Sequence, residues 1–178
     1  MKVCIYGAGA IGLLVGARLA ATGAHEVSAV ARGATLAALQ AHGLRVDGHA
    51  GPISGPVAAH ADPAALGVQD VVVIAVKAPA LADVARRVAP LLGPHTLIVP
   101  AMNGVPWWFC QDIPEMGREP LQSVDPGGRI ASAISFERVL GCVVHASTAT
   151  TEPGLVQHRM GQGPVSYTHL TLPTNREV

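Results

Sequence analysis

Charged and aromatic side chains are both scarce in this sequence. Of its 178 residues, 13% are charged and 3% are aromatic, and the formal net charge is zero. A neutral chain lacks the basic surface that nucleic acids and other polyanions require, so no nucleic-acid partner is expected. No apolar run reaches the length of a membrane span, so no membrane partner is expected either.

Cysteine is also rare, and the three cysteines lie far apart. Cys4, Cys110 and Cys142 provide neither an even-numbered disulfide framework nor the close spacing of a metal site. We therefore expect three buried, reduced thiols and no bound metal. Because a strand is predicted almost from the first residue, there is no room for a signal peptide, and a cytoplasmic location is expected.

Small apolar side chains are what the chain has in abundance. Hydrophobic residues make up 49% of it, and glycine adds 20 residues. Such side chains suit helices that pack closely on a parallel sheet. The length suffices for one domain with a substantial core.

A glycine-rich turn follows the first predicted strand. Val3–Tyr6 is a short apolar run, Gly7–Gly12 reads Gly-Ala-Gly-Ala-Ile-Gly, and Leu13–Ala21 is predicted to be helical. A strand, a G-x-G-x-x-G turn and a helix in this order form the dinucleotide-binding fingerprint.

Each glycine of the turn has a mechanical role in that fingerprint. Gly7 allows the tight turn, Gly9 lets a pyrophosphate approach the backbone, and Gly12 lets the helix pack close to the strand. The helix N-terminus then offers N–H groups and a partial positive charge to the phosphates. The turn residues predicted to bind the coenzyme are Gly7, Ala8, Gly9, Ala10, Ile11 and Gly12.

The residue that ends the second predicted strand indicates which coenzyme binds. Val27–Ala31 is followed by Arg32, which lies 20 residues after Gly12 (32 − 12). An acidic residue near this position binds the ribose 2′-OH of NAD, whereas an arginine pairs with the 2′-phosphate of NADP. The nearest acid that follows, Asp47, is too far along the chain to replace it. The sequence therefore favours NADP(H), with an ordinary surface arginine as the alternative interpretation.

Two polar residues follow later predicted strands. Val71–Val76 is a β-branched run without alternation, typical of a strand buried on both faces, and Lys77 ends it. Asn103 comes shortly after the next predicted strand, Thr96–Val99. Ligands of such sheets bind at the carboxyl ends of the strands, so both side chains are predicted to contact coenzyme or substrate. The alternatives are a lysine that extends into solvent and an Asn-Gly turn.

The remainder of the chain yields weaker predictions. The cluster Trp107–Phe109 either walls a pocket or packs a loop, and Arg86 and Arg87 are expected only to be solvated. Val139–His145 is predicted to be a strand that pairs antiparallel with Leu155–His158. Further elements are predicted as a helix over 34–42, a hairpin or loop over 44–56, a helix over 80–92 and a short helix over 130–134.

Several of these motifs together resemble the ketopantoate reductase (2-dehydropantoate 2-reductase) family. The similarity covers nearly all of residues 1–163, and the ordered combination is far more specific than any single motif. The matching segments are Gly7–Gly12, Val30–Arg32, Val76–Ala78, Met102–Gly104, Glu137–Cys142 and Glu152–His158.

The resemblance implies a fold, a reaction and site residues. The implied fold is an α/β Rossmann-type domain with a doubly wound, mostly parallel sheet. The implied reaction is the NADPH-dependent reduction of 2-dehydropantoate to (R)-pantoate, on the route to pantothenate and coenzyme A. Gly7–Gly12 would bind the pyrophosphate and Arg32 the 2′-phosphate, with Lys77 and Asn103 near the nicotinamide and the substrate.

The sequence departs from the family after this region. Members carry a second, all-helical domain that supplies a proton-donor lysine and a glutamate, whereas the only lysines here are Lys2 and Lys77. We therefore expect residues 1–164 to form the NADP-binding domain alone, inactive by itself. Residues 165–178 break the pattern, with three threonines, one serine, one asparagine and no alanine, and resemble a translated sequencing adapter, so they are expected to have no role.

Two other functions stay open. One is reduction of a different 2-oxo acid, because the aromatic loop could reshape the pocket. The other is a module that binds NADPH without turnover. The expected partner is a small 2-oxo acid, and association into a homodimer is left open.

Overall fold

The elements alternate between strands and helices over most of the chain. The computed structural model describes residues 1–48 and 51–160, so the predicted tail at 165–178 lies outside the described residues and its assignment stays a prediction. The strands are β1 (Lys2–Tyr6), β2 (Glu26–Val30), β3 (Leu44–Gly48), β4 (Gly51–Gly55), β5 (Ala58–His60), β6 (Val71–Ile74), β7 (Leu97–Pro100), β8 (Ser147–Glu152) and β9 (Leu155–Met160). The α-helices are α1 (Ala10–Ala21), α2 (Gly33–His42), α3 (Leu81–Arg87) and α4 (Arg129–Ala133).

A five-stranded parallel sheet forms the centre of the fold. Its order is β5-β2-β1-β6-β7, and every neighbouring pair is parallel. The chain therefore begins in the middle of the sheet and adds strands first on one side and then on the other. This confirms the predicted doubly wound α/β fold of the Rossmann type.

Both faces of the central sheet are covered, and β1 illustrates why. Val3 and Ile5 pack into one core cluster with α1, whereas Cys4 and Tyr6 pack into a second cluster with α3. Successive strand residues point to opposite faces, so a strand buried on both sides needs an unbroken apolar run. The same reasoning applies to β6, which ends two residues earlier than predicted, at Ile74.

A second sheet lies on the far side of α1. Its order is β4-β3-β9-β8, and it includes the antiparallel hairpin that the segment 44–56 predicted. Helix α1 is thus covered on two sides, and Gly16 makes this possible. A Cβ at Gly16 would lie 3.1 Å from Ile5 Cγ1 of the central sheet and 3.3 Å from Leu44 Cδ2 of the second sheet.

The predicted strand Val139–His145 is wrong. The segment forms isolated bridges and no continuous strand: one joins Val139 to Ile98 of the central sheet, and Val143 forms another. The backbone N–H and C=O of Val144 bond instead to a side chain, so they are not available to a strand ladder. Strand β9 pairs antiparallel with β8 and parallel with β3.

The predicted helix over 80–92 is also shorter than expected. Helix α3 ends at Arg87, and 3₁₀ turns flank it at Ala78–Ala80 and Ala89–Leu91. Pro90 explains the early end, because proline has no N–H to donate and clashes with the preceding turn. None of the described helices has the length and apolar character needed to cross a membrane.

The three cysteines are buried free thiols, as predicted. Burial raises the pKa of the Cys4 thiol from 9.0 to about 12, although hydrogen bonds from Ser28 and Val30 act in the opposite direction. Burial likewise raises the pKa of Cys142 from 9.0 to about 11. Between pH 9 and pH 12 the unfolded chain has lost a Cys4 proton that the folded chain retains, so the free energy of unfolding falls as the pH rises.

We predict that Cys4→Ala makes the free energy of unfolding less dependent on pH above pH 9. One thiol contributes a slope of up to about 1.4 kcal/mol per pH unit. Urea denaturation below and above that pH measures it. Val72→Ala is the control, because Val72 is the buried neighbour of Cys4 on β6 and has no ionisable group. An unchanged slope in Cys4→Ala would contradict the assignment.

Candidate functional site

The carboxyl ends of the central strands are aligned at one edge of the sheet. Backbone hydrogen bonds continue past the strand ends, from Gly7 to Val30, from Ala75 to Tyr6 and from Ala101 to Ile74. The residues that follow each strand therefore emerge side by side. These segments carry the Gly7–Gly12 turn, Arg32, Lys77 and Asn103, as the order of the parallel strands predicted.

The turn between β1 and α1 is held by close contacts at two of its glycines. Gly7 has φ +102°, a conformation that L side chains rarely adopt. A Cβ on Gly12 would collide with the carbonyl oxygen of Gly7 and lie 2.9 Å from Ile5 Cγ2. These contacts bring the first turn of α1 directly against the end of β1.

The middle glycine of the turn differs from the other two. A Cβ on Gly9 would have no heavy atom within 4 Å, so the space beside it is open. Gly9 is also the N-cap of α1, and no side chain caps that helix end. The N-terminal N–H groups of α1 thus point into open space at the sheet edge, as a phosphate-binding turn requires.

A groove of about 320 Å³ runs beside this turn. Gly7–Gly9 and Arg32 line it, so the first half of the turn predicted to bind the pyrophosphate shares one groove with the residue predicted to bind the 2′-phosphate, whereas Ala10–Gly12 do not line it. Arg32 is the N-cap of α2, and its side chain is 73% exposed.

Helix α3 adds charged residues to the groove that sequence reasoning missed. Asp83 Oδ2 lies 3.9 Å from Arg32 Nη1, and Asp83 Oδ1 lies 2.9 Å from Arg86 Nη2. Arg87 also lines the groove and donates to the carbonyl oxygen of Ala61, so it is not merely solvated. The signal was available, since residues 83 and 87 lie one turn apart on the helix that follows β6.

Tyr6 is a further groove residue that the sequence did not single out. It ends β1, lines the groove and is 5% exposed. Its hydroxyl is buried without a hydrogen-bond partner among the described residues. Burial raises the pKa of Tyr6, whereas the neighbouring Arg87 lowers it to a smaller extent. The hydroxyl is therefore a neutral donor that lacks an acceptor.

Lys77 follows β6 and is exposed at the same edge. Its side chain makes no hydrogen bond or ion pair within residues 1–48 and 51–160. The 3₁₀ turn that begins after it, Ala78–Ala80, separates the dinucleotide groove from a second cavity.

Asn103 is held in place more firmly than its sequence context indicated. Its Nδ2 donates to the carbonyl oxygen of Val144 at 3.0 Å, and its Oδ1 accepts from the Val144 N–H at 2.9 Å. The sequence predicts an Asn-Gly turn or a side chain that contacts ligand, and the structure shows that the Asn103 amide also connects two segments that lie 41 residues apart. One N–H and one lone pair of the amide have no partner among the described residues.

The second cavity lies beyond Asn103 and has a volume of about 540 Å³. Trp107 and Trp108 line it, so the aromatic cluster does wall a pocket. Their rings meet edge to face, with centroids 4.4 Å apart and planes at 87°. Residues 1–48 and 51–160 contain no group of three or more metal-ligating side chains that could hold a metal ion.

Comparisons with known proteins agree with this architecture. The chain matches the family profile described as ketopantoate reductase PanE/ApbA over residues 3–114. It is 45% identical over 164 residues to a 2-dehydropantoate 2-reductase of Mesorhizobium japonicum (strain LMG 29417 / CECT 9101 / MAFF 303099). That match covers 91% of this chain and 50% of the relative.

Solved structures give the same result. A structure from Ralstonia solanacearum MolK2, described as a ketopantoate reductase, matches with a TM-score of 0.84 and 55% identity, covering 90% of this chain and 50% of that one. The 2-dehydropantoate 2-reductase of Porphyromonas gingivalis W83 matches with a TM-score of 0.70 and 27% identity, covering 89% and 51%. The chain spans about half the length of these relatives.

We predict that alanine lowers the free energy of unfolding by different amounts at two glycines of the turn. Gly12→Ala forces a Cβ into the Gly7 carbonyl and should lower the free energy of unfolding by at least about 1–3 kcal/mol. Gly9→Ala meets no atom and loses only the N-cap preference for glycine, a cost below about 1 kcal/mol. Thermal denaturation of the two variants measures both values. Equal stabilities would show that α1 does not approach the turn as described.

Proposed function

The chain belongs to the ketopantoate reductase PanE/ApbA family, and from this premise we propose that it binds NADP(H) as the coenzyme-binding part of a 2-dehydropantoate 2-reductase. The observation that carries the proposal is the open space at Gly9 beside the uncapped N-terminus of α1. Backbone N–H groups of a helix end, approached through a glycine, are the usual seat of a pyrophosphate.

The choice of NADP(H) over NAD(H) rests on charge in the groove. Arg32 and Arg87 are cations, and Asp83 is the acidic side chain that faces Arg32. An exposed arginine suits a phosphate dianion, because its planar fork can donate two hydrogen bonds. The carboxylate of Asp83 opposes that binding in part, since it already pairs with Arg32.

The remaining site residues would act on the substrate. When bound, the coenzyme supplies a hydride to the carbonyl carbon. The remaining N–H of Asn103 is suited to donate to the substrate carbonyl oxygen, while the Val144 bonds hold the amide in place. Lys77 brings a positive charge to the same edge. We propose that these 178 residues bind coenzyme but do not complete the reduction. The resemblance implies that the proton-donor lysine comes from a second domain, and Lys2 cannot replace it because it lies at the opposite end of β1 from the site.

A second candidate function is the reduction of a different 2-oxo acid. The observation that favours it is the 540 Å³ cavity beside Asn103, with its two tryptophans. Its lining is mostly apolar, which suits an apolar substrate side chain better than a hydroxylated one, because a buried hydroxyl without a hydrogen-bond partner costs free energy.

We predict that NADPH binds more tightly than NADH and that Arg32 is the cause. Arg32→Ala should weaken NADPH binding roughly tenfold or more and leave NADH binding nearly unchanged, because one charge-assisted contact is lost. Asp83→Asn should strengthen NADPH binding by up to about fivefold, the range expected of an exposed ion pair. Calorimetric titration of both coenzymes measures each effect. Equal affinities for the two coenzymes in the wild-type chain would rule out the role of Arg32.

We also predict that Gly9→Val abolishes coenzyme binding without unfolding the chain. The added side chain enters the open space at Gly9, where the pyrophosphate would approach, and its Cβ has no heavy atom within 4 Å in the free chain. Fluorescence titration with NADPH measures binding, and thermal denaturation is the control for folding. If a folded variant retains its affinity, the turn is not the phosphate site.

A further inference from the structure

The tryptophan cavity, defined by Met102, Asn103, Trp107, Trp108, Arg129 and Ile130, has features that dinucleotide binding does not use. Its floor comes from the loop after β7 and its side from α4. The dinucleotide groove lies on the other side of the turn Ala78–Ala80. A molecule in the cavity would therefore be next to the coenzyme and within reach of the Asn103 amide.

Of the two ionisable side chains in the cavity wall, one is buried and hydrogen-bonded and the other is exposed. Its ionisable lining residues are Asp125 and Arg129. Asp125 is 1% exposed, and its two oxygens accept hydrogen bonds from the backbone N–H groups of Ile130 and Ala131. Arg129 is exposed and has no hydrogen bond or ion pair within the described ranges. The cavity therefore presents an unpaired guanidinium, which suits a carboxylate.

The walls suit an apolar group. Trp107 is 3% exposed and Trp108 is 6% exposed, and Met102 and Ile130 pack in the same core cluster. Most of the surface of the two rings is buried, so the tryptophans contribute a small part of the apolar lining, beside Met102 and Val105. Each indole nitrogen is buried without an acceptor among the described residues, which costs about 1–3 kcal/mol. An oxygen-bearing ligand would supply the missing acceptor once a ring turns toward it.

We propose that the tryptophan cavity binds a 2-oxo acid with a bulky apolar side chain, with Arg129 pairing the carboxylate and the two tryptophans contacting the side chain. This inference rests on the proposed NADP(H) binding and on the second candidate function, the reduction of a different 2-oxo acid, whose substrate class it defines. The apolar walls and the single cation agree with such a ligand better than with one that carries additional hydroxyl groups.

The chain contains its own probe for this test. Trp107 and Trp108 are its only tryptophans, so their fluorescence reports on the cavity alone. With NADP⁺ present at saturation, 4-methyl-2-oxopentanoate should change the emission saturably. Pyruvate should bind at least tenfold more weakly because it lacks the apolar group. The uncharged 4-methyl-2-pentanone should also bind at least tenfold more weakly because it lacks the carboxylate.

Variants of Arg129 test the carboxylate contact. Arg129→Gln should weaken 4-methyl-2-oxopentanoate binding about tenfold, and Arg129→Lys should restore part of it. Neither change should alter NADP⁺ affinity, measured by calorimetry, because Arg129 lies outside the dinucleotide groove. Both variants should fold, since the side chain is exposed.

The outcomes separate the two proposals. If NADP⁺ binds but the acid leaves the emission unchanged, binds no better than pyruvate, or binds Arg129→Gln equally well, the inference about the cavity is wrong. Tighter binding of 2-dehydropantoate than of 4-methyl-2-oxopentanoate would also overturn the apolar class. If NADP⁺ itself does not bind, the proposed function fails.

Discussion

The contact between Gly12 and the Gly7 carbonyl is the constraint on which the site depends. With no side chain between them, the first turn of α1 lies directly against the end of β1. That contact orients the helix so that its uncapped N-terminus opens at the carboxyl edge of the sheet. The parallel pairing of the strands then brings Arg32, Lys77 and Asn103 to the same edge, although they lie far apart in the sequence.

The features that the sequence predicted well are those with local causes. The glycine turn follows from three positions with three steric requirements, and the β-branched run at β6 follows from burial on both faces. Asp62 likewise acts locally, because it caps the short 3₁₀ turn at Pro63–Ala65 by accepting from Ala64 N–H.

The features that it missed depend on residues distant in the chain. Nothing near Asn103 indicates that Val144 will pair with it, and that pairing is also what removes the predicted strand at 139–145. Asp83 and Arg32 meet only because β6 lies beside β1 and α3 follows it. Strand β8 has mostly exposed residues, so no burial pattern distinguished it from a linker.

The two hydrogen bonds between Asn103 and Val144 also bring the two ends of the intervening segment together. They join residues 41 positions apart, so the chain between them leaves and returns at nearly the same point. The entropy of closing such a loop grows slowly, by about 0.6 kcal/mol for each doubling of its length. Because Trp107, Trp108 and Ile130 of this segment pack in the second core cluster against the central sheet, changes in its length are tolerated in its exposed loops, where they leave the five-stranded sheet and its dinucleotide groove unchanged.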